Sequence, residues 1–165
     1  MEALLITRQD LVKFTATNGN VDTDNFIQWI KVAQDIHLQN YLGTQLLNKL
    51  KSDIIASTLT GNYQILVETY CKPVLIHWAM VEYLPFAAYT IANKGIFKHT
   101  SENSNTIEKA ELDLLIDKQR QIAQHYTERM IDYLCFNNNL FPEYSNNSNG
   151  DMYPDTNNYN IGWVL

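Results

Sequence analysis

The sequence predicts an all-α fold, a helical bundle of about four to five helices around a central apolar helix, with an extended C-terminal arm. The run Pro73-Val-Leu-Ile-His-Trp-Ala-Met-Val-Glu-Tyr-Leu-Pro-Phe-Ala-Ala-Tyr-Thr-Ile91 is apolar on nearly every side, and a helix of that kind has to be wrapped by others. On either side of it, apolar residues recur at steps of three and four, the period of one helix face. From Asn137 onward that periodicity gives way to nine asparagines, two prolines and isolated aromatics.

The elements follow in chain order. Thr7 can cap a short first helix ending near Phe14, with Asp10 in its positive first turn and Ile6 stapled onto Leu11. Asn18-Gly19 marks a loop, and Asp22 caps a second helix whose Val21 packs on Phe26. Phe26, Ile30, Ala33, His37 and Tyr41 form its stripe, widened by Trp29 and Ile36, and Gly43 supplies a left-handed stop. Thr44 caps a third helix carrying Leu46, Leu47, Leu50 and Ile54, which meets the second at a tight corner.

The central helix is expected from about Asn62 to Asn93, bent at Pro73 and Pro85, with Glu68 and Lys72 as an i,i+4 pair on its wetter first half. A polar loop follows Phe97, and Asn105-Thr-Ile-Glu108 caps the longest helix, which runs to about Phe136. Leu112, Ile116, Gln119, Ala123, Tyr126, Met130 and Tyr133 step 4-3-4-3-4-3 along it, the spacing of a seam against another helix. That partner is either the central helix of the same subunit or a helix of another. The chain therefore divides into a helical domain, 1–138, and an Asn-rich arm, 139–165, expected to be mobile in the isolated subunit and ordered only against a neighbouring chain, whose Phe141, Tyr144, Tyr153, Tyr159 and Trp163 are candidate interaction residues.

A length of 165 residues is that of one ordinary domain. Hydrophobic residues at 45% exceed what a disordered chain carries, and a net charge of −6 argues against free affinity for nucleic-acid phosphates. Cys71 and Cys135 lack CxxC spacing and read as reduced core thiols. Residues 1–8 lack a basic segment followed by an apolar run, so no secretory signal is expected. The central run is long enough for a bilayer, about 30 Å, which keeps a membrane-associated helix protein as an alternative. His77 and Glu82 in its middle weigh against that, because an acidic residue at a membrane helix centre costs about 2.5 to 3.5 kcal/mol.

His37, His77, His99 and His125 form no HExxH or paired Cys/His pattern, and neither a phosphate loop nor a GxSxG elbow is present. Catalytic, cofactor and metal sites are accordingly expected to be none, although a small helical enzyme stays open as a further alternative. Cys71 with His77, or Cys135 with His125, are the nucleophile pairs such an enzyme could use. Glu82 is the polar exception in the apolar run: it has to be paired, hydrogen-bonded or protonated, through a structural bond to a Tyr or Lys inside the bundle, with a contact between subunits or a catalytic acid as the alternatives.

Four stretches carry a resemblance. They are Phe26-Ile-Gln-Trp-Ile-Lys-Val-Ala-Gln34 through Tyr41-Leu-Gly-Thr-Gln-Leu-Leu47; Lys72 to Pro85; Asn93-Lys-Gly-Ile-Phe-Lys-His99; and Tyr126-Thr-Glu-Arg-Met-Ile-Asp-Tyr-Leu-Cys-Phe-Asn137 leading to Phe141-Pro-Glu-Tyr144. In these the chain resembles the small helical head-to-tail connector proteins (adaptor or head-completion) of tailed bacteriophages, and especially the ring proteins of crAss-like phages. The resemblance implies a non-enzymatic virion protein at the head–tail junction, made in the host cytoplasm and assembled as a homo-oligomeric ring, a dodecamer, below the portal. It also implies partners: the portal protein, the tail or further ring proteins, and DNA passing through the lumen without sequence-specific binding, with no membrane. These are packing motifs, so no catalytic residues carry over, and the tail after Tyr144 lies beyond the common core.

Overall fold

Helix α1, Arg8–Phe14, starts as its sequence dictates. The Thr7 hydroxyl accepts from the Asp10 amide while the Asp10 carboxylate accepts from the Thr7 amide at 2.8 Å, a closed capping box. Ile6 and Leu11 are both buried beside it. The computed structural model describes residues 3–15, 24–87, 89–92, 95–98, 109–146 and 151–157. The expected caps at Val21-Asp22 and Asn105–Glu108 lie outside the described residues.

Helix α2, Asp24–Ala33, continues through a widened π turn, Gln34–Leu38, into α3, Gln39–Ile55. Of the predicted stripe Phe26, Ile30, Ala33 and Tyr41 are buried, whereas His37 is half-buried and Ile36 is 58% exposed, because the π turn rotates the residues after Ala33 and puts Leu38 inward instead. Gly43 breaks α3 with φ at +73°, a left-handed value that a side chain would resist. After this corner, Leu46, Leu47 and Leu50 turn inward as expected.

The central helix departs from expectation at both ends. It is built from α4, Gly61–Ile65, a second π turn, Leu66–Cys71, and α5, Lys72–Tyr83. The widened turn falls just before Pro73, which has no N–H to give to the preceding turn, so the irregular hydrogen bonding is placed where the ladder is already interrupted. Pro85 ends the helix instead of bending it: after one 3-10 turn, Leu84–Phe86, the chain forms an antiparallel pair, β1 (Tyr89–Ala92) and β2 (Gly95–Lys98), with Ala92 opposite Gly95. The expected continuation to Asn93 is therefore corrected. The reason is local, since Pro85 cannot continue the ladder and Tyr89-Thr90-Ile91 and Ile96-Phe97 are β-branched or aromatic.

Within α5, Val74, Leu75, Ile76, Trp78, Ala79, Met80 and Val81 are all buried, so the helix is covered all round. Helix α6, Lys109–Phe136, is 28 residues, about 42 Å at 1.5 Å per residue. It packs antiparallel on α5: Tyr70 stacks on Tyr133 at 4.0 Å, Cys71 meets Met130, and His77 stacks on Tyr126. The 4-3 seam thus faces the subunit's own central helix.

The core extends past residue 138, where the helical domain was expected to end. After a 3-10 turn, Asn138–Leu140, and the short α7, Pro142–Ser145, Phe141 is fully buried between Tyr63 and Tyr133, and Tyr144 is 7% exposed. Both were expected as anchors of a free arm and are core residues instead, because the chain reverses after Asn137 and brings them back onto the bundle. The following extended segment is also docked on its own subunit. The Thr44 amide donates to the Met152 carbonyl at 3.0 Å, and the Asp155 amide donates to the Asn40 carbonyl at 2.8 Å. The break at Gly43 leaves these helix groups without helical partners, and residues 152–155 satisfy them. An arm ordered only by a neighbouring chain is therefore corrected over residues 151–157, while Tyr159 and Trp163 lie outside the described residues.

A side chain at position 43 would strike Pro154 at 2.9 Å as well as resist the positive φ. Gly43→Ala is expected to cost about 1 to 3 kcal/mol and to release residues 152–155, read by denaturant unfolding and by faster proteolysis near Tyr153. Tyr63 gives a pH signature: burial first, and then its hydrogen bond to Glu143 at 2.7 Å, push its phenol up to about 12. The folded form holds this proton more tightly than the unfolded chain, so its stabilisation is complete below pH 10 and lost as pH rises toward 12. Tyr63→Phe is expected to flatten that part of the alkaline unfolding curve.

Candidate functional site

Two polar constructions sit on the apolar central helix. In the first, Glu82 near the end of α5 lies 2.8 Å from His37 Nε2 in the π turn after α2. The His37 ring stacks on Trp78 with centroids 3.9 Å apart and planes 10° from parallel. Trp78 Nε1 donates to the Thr127 hydroxyl at 3.1 Å, which in turn donates to the Ala123 carbonyl at 2.8 Å. A chain of contacts thus runs from α2 through α5 to α6 with each buried donor satisfied. Glu82 is thus bonded within the subunit, to a histidine instead of the Tyr or Lys expected. The partner is a histidine 45 positions away, which no local spacing could have named.

The second construction is a cleft of about 560 Å³ between α1, the start of α5 and α6, lined by Asp10, Lys13, Phe14, Glu68, Lys72, His77, Tyr126 and Arg129 among others. His77 is held in place by Gln119, 3.0 Å from its Nδ1, and by the parallel Tyr126 ring. Glu68 pairs with Lys72 at 2.7 Å, the i,i+4 pair read from the sequence. Arg129 lies over the Tyr70 ring at 5.1 Å. The cleft is a mixed surface with aromatic walls and more cations than carboxylates.

The nucleophile pairs considered from sequence are not assembled. Burial pushes the Cys71 thiol up, and it faces the Met130 sulfur at 3.8 Å, while His77 is engaged with Gln119. Cys135 and His125 are both exposed and ten residues apart on one helix, about 15 Å along its axis. Among the described residues there is no group of three His, Cys, Asp or Glu placed to hold a metal ion, and no helix long and apolar enough to cross a membrane.

Of the candidate interaction residues, Tyr153 is 69% exposed, whereas Phe141 and Tyr144 are enclosed and Glu82 is bonded to His37. Burial pushes the Tyr144 phenol up, and its oxygen, beside Cys135, has no well-formed hydrogen-bond partner among the described residues. Sequence reasoning missed Gln34. Its side chain is fully buried, accepts from the Leu5 amide at 3.0 Å and donates to the Ala3 carbonyl at 3.1 Å, fixing residues 3–5 to the π turn. Its position between Ala33 and Leu38 on the apolar stripe was the available signal. Glu82→Ala leaves His37 partly enclosed without its acceptor and is expected to cost roughly 1 to 3 kcal/mol, measured by denaturant unfolding. An unchanged midpoint would place the pair on the solvated surface.

A family model described as a family of unknown function, DUF6712, matches residues 38–153. The matched span runs from the end of the first π turn through α6 and α7 to the docked segment, crossing the expected boundary at residue 138. No curated protein and no solved structure matches the chain. With most of the bundle inside the match, the chain belongs to the DUF6712 family.

Proposed function

We propose that the protein is a structural virion component, a head-to-tail connector or adaptor that forms a closed homo-oligomeric ring below the portal, extends the DNA channel and docks the tail. The observation that carries the reading beyond the resemblance is the division of α6. Its buried residues, Ala123, Thr127, Met130, Ile131 and Leu134, all fall in the C-terminal half. The N-terminal half has none, and it carries Leu114 at 69% and Leu115 at 48% exposure. A helix turn that leaves two adjacent leucines in water is suited to a neighbour.

Charge agrees with this task. A net charge of −6 disfavours tight binding to phosphates, which lets DNA slide past a ring wall without being gripped. The partners on this reading are further copies of the chain, arranged twelvefold, together with the portal protein and the tail or other ring proteins. Exposed Tyr153 adds candidate contact area, and Tyr159 and Trp163 remain candidates by sequence alone.

Native mass measurement of the purified protein, alone and mixed with its portal protein, tests the proposal. A closed oligomer is expected in at least one of the two conditions. A strictly monomeric species in both would overturn it.

A further inference from the structure

We infer that the cleft beside α1 is the receiving half of a contact between copies of this chain, and that the exposed first turns of α6, around Asp113, Leu114 and Leu115, are the inserted half. The inference rests on the ring reading above and names the surfaces that would build it.

The cleft is the wrong sign for its protein. In a chain of net charge −6 it gathers Lys13, Lys72 and Arg129 against Asp10 and Glu68. Both carboxylates are already engaged within the subunit: Asp10 closes the capping box and Glu68 holds Lys72. Lys13 and Arg129 are left lying over aromatic rings, Phe14 at 5.2 Å and Tyr70 at 5.1 Å, with no carboxylate partner among the described residues. A guanidinium stacked through its face keeps its N–H edge directed outward, ready for a carboxylate. Phe14, 57% exposed, and Tyr126 provide apolar wall beside these charges.

The first turns of α6 have the complementary character. Residues 109–117 carry Glu111, Asp113 and Asp117 against Lys109. Asp113 is exposed and unpaired among the described residues, adjacent to the two exposed leucines. One acidic turn bearing exposed leucines thus matches one cationic, aromatic-walled cleft. A subunit cannot fill its own cleft this way, because Asp113 and Arg129 are sixteen residues apart on one continuous helix, about 24 Å. The occupant is therefore a second copy. Donor and receiver are different surfaces, which makes the contact heterologous, the kind that closes into a ring when the rotation permits.

Charge reversal tests this under whichever condition, free or with portal, assembles the parent chain. Arg129→Glu, at an exposed position, and separately Lys13→Glu are expected to lower the assembled fraction roughly tenfold or more, since each places like charges in contact. Adding Asp113→Arg to either variant is expected to restore assembly, which mere damage to folding would not allow. Unchanged assembly of both single variants, or loss without rescue in both doubles, overturns this contact while leaving the ring reading in place. A parent chain that stays monomeric in both conditions overturns the two together.

Discussion

The structure depends on one constraint: α5 carries large apolar side chains on every face, so no single partner can cover it. Fully burying each such side chain is worth about 1.5 to 3 kcal/mol, and seven of its residues are buried. Helix α2 covers one side and α6 another. The α3 corner and the reversal after Asn137 bring Leu46, Leu50, Phe141 and Tyr144 to the remainder of the same core. The irregular π turns, Gln34–Leu38 and Leu66–Cys71, each set one side into this core, through Gln34 and Leu38 and through Leu66, Val67 and Cys71, where tertiary packing can support uneven helical bonding.

A helix enclosed this fully leaves little room for polar groups, and those present are joined across elements. Trp78 reaches Thr127, His37 meets Glu82, and His77 meets Gln119. Each bond joins α5 to a different strip of its surroundings. Together they fix the register in which α2 and α6 lie along it, a task that interchangeable leucines do less well. The same logic applies at the N-terminus, where one buried glutamine supplies both a donor and an acceptor to residues 3–5.

Beyond the core, the molecule is uneven in how its surfaces are finished. The C-terminal half of α6 buries one face, from Ala123 to Leu134, and the chain after it folds back until Pro154 seats against the Gly43 corner. The N-terminal half leaves Leu114 and Leu115 exposed, and in the cleft beside α1 Lys13 and Arg129 have no carboxylate partner among the described residues. Such an arrangement is consistent with a subunit whose remaining surface is completed by assembly, which is the basis of the connector reading.

The sequence by itself determined the helices whose signals are local: the Thr7–Asp10 capping box, the Phe26 to Tyr41 stripe, the left-handed stop at Gly43 and the 4-3 seam of α6. Each depends on side chains within a few residues of one another, so spacing alone predicts it. Glu82 as a carboxylate needing a partner was legible for the same reason. Only the tertiary structure decided which residue answers it, because His37 approaches from a different helix. The end of the central helix at Pro85 was a competition between continued helix and a strand pair, and pairing with residues 95–98 decided it. The cleft was hidden because α1, α5 and α6 contribute its charges from widely separated positions. The fate of the C-terminal segment turned on backbone groups: the amide of Thr44 and the carbonyl of Asn40 become available only once the chain breaks at Gly43, and unpaired backbone groups near a core draw in a segment that composition alone would have left in solvent.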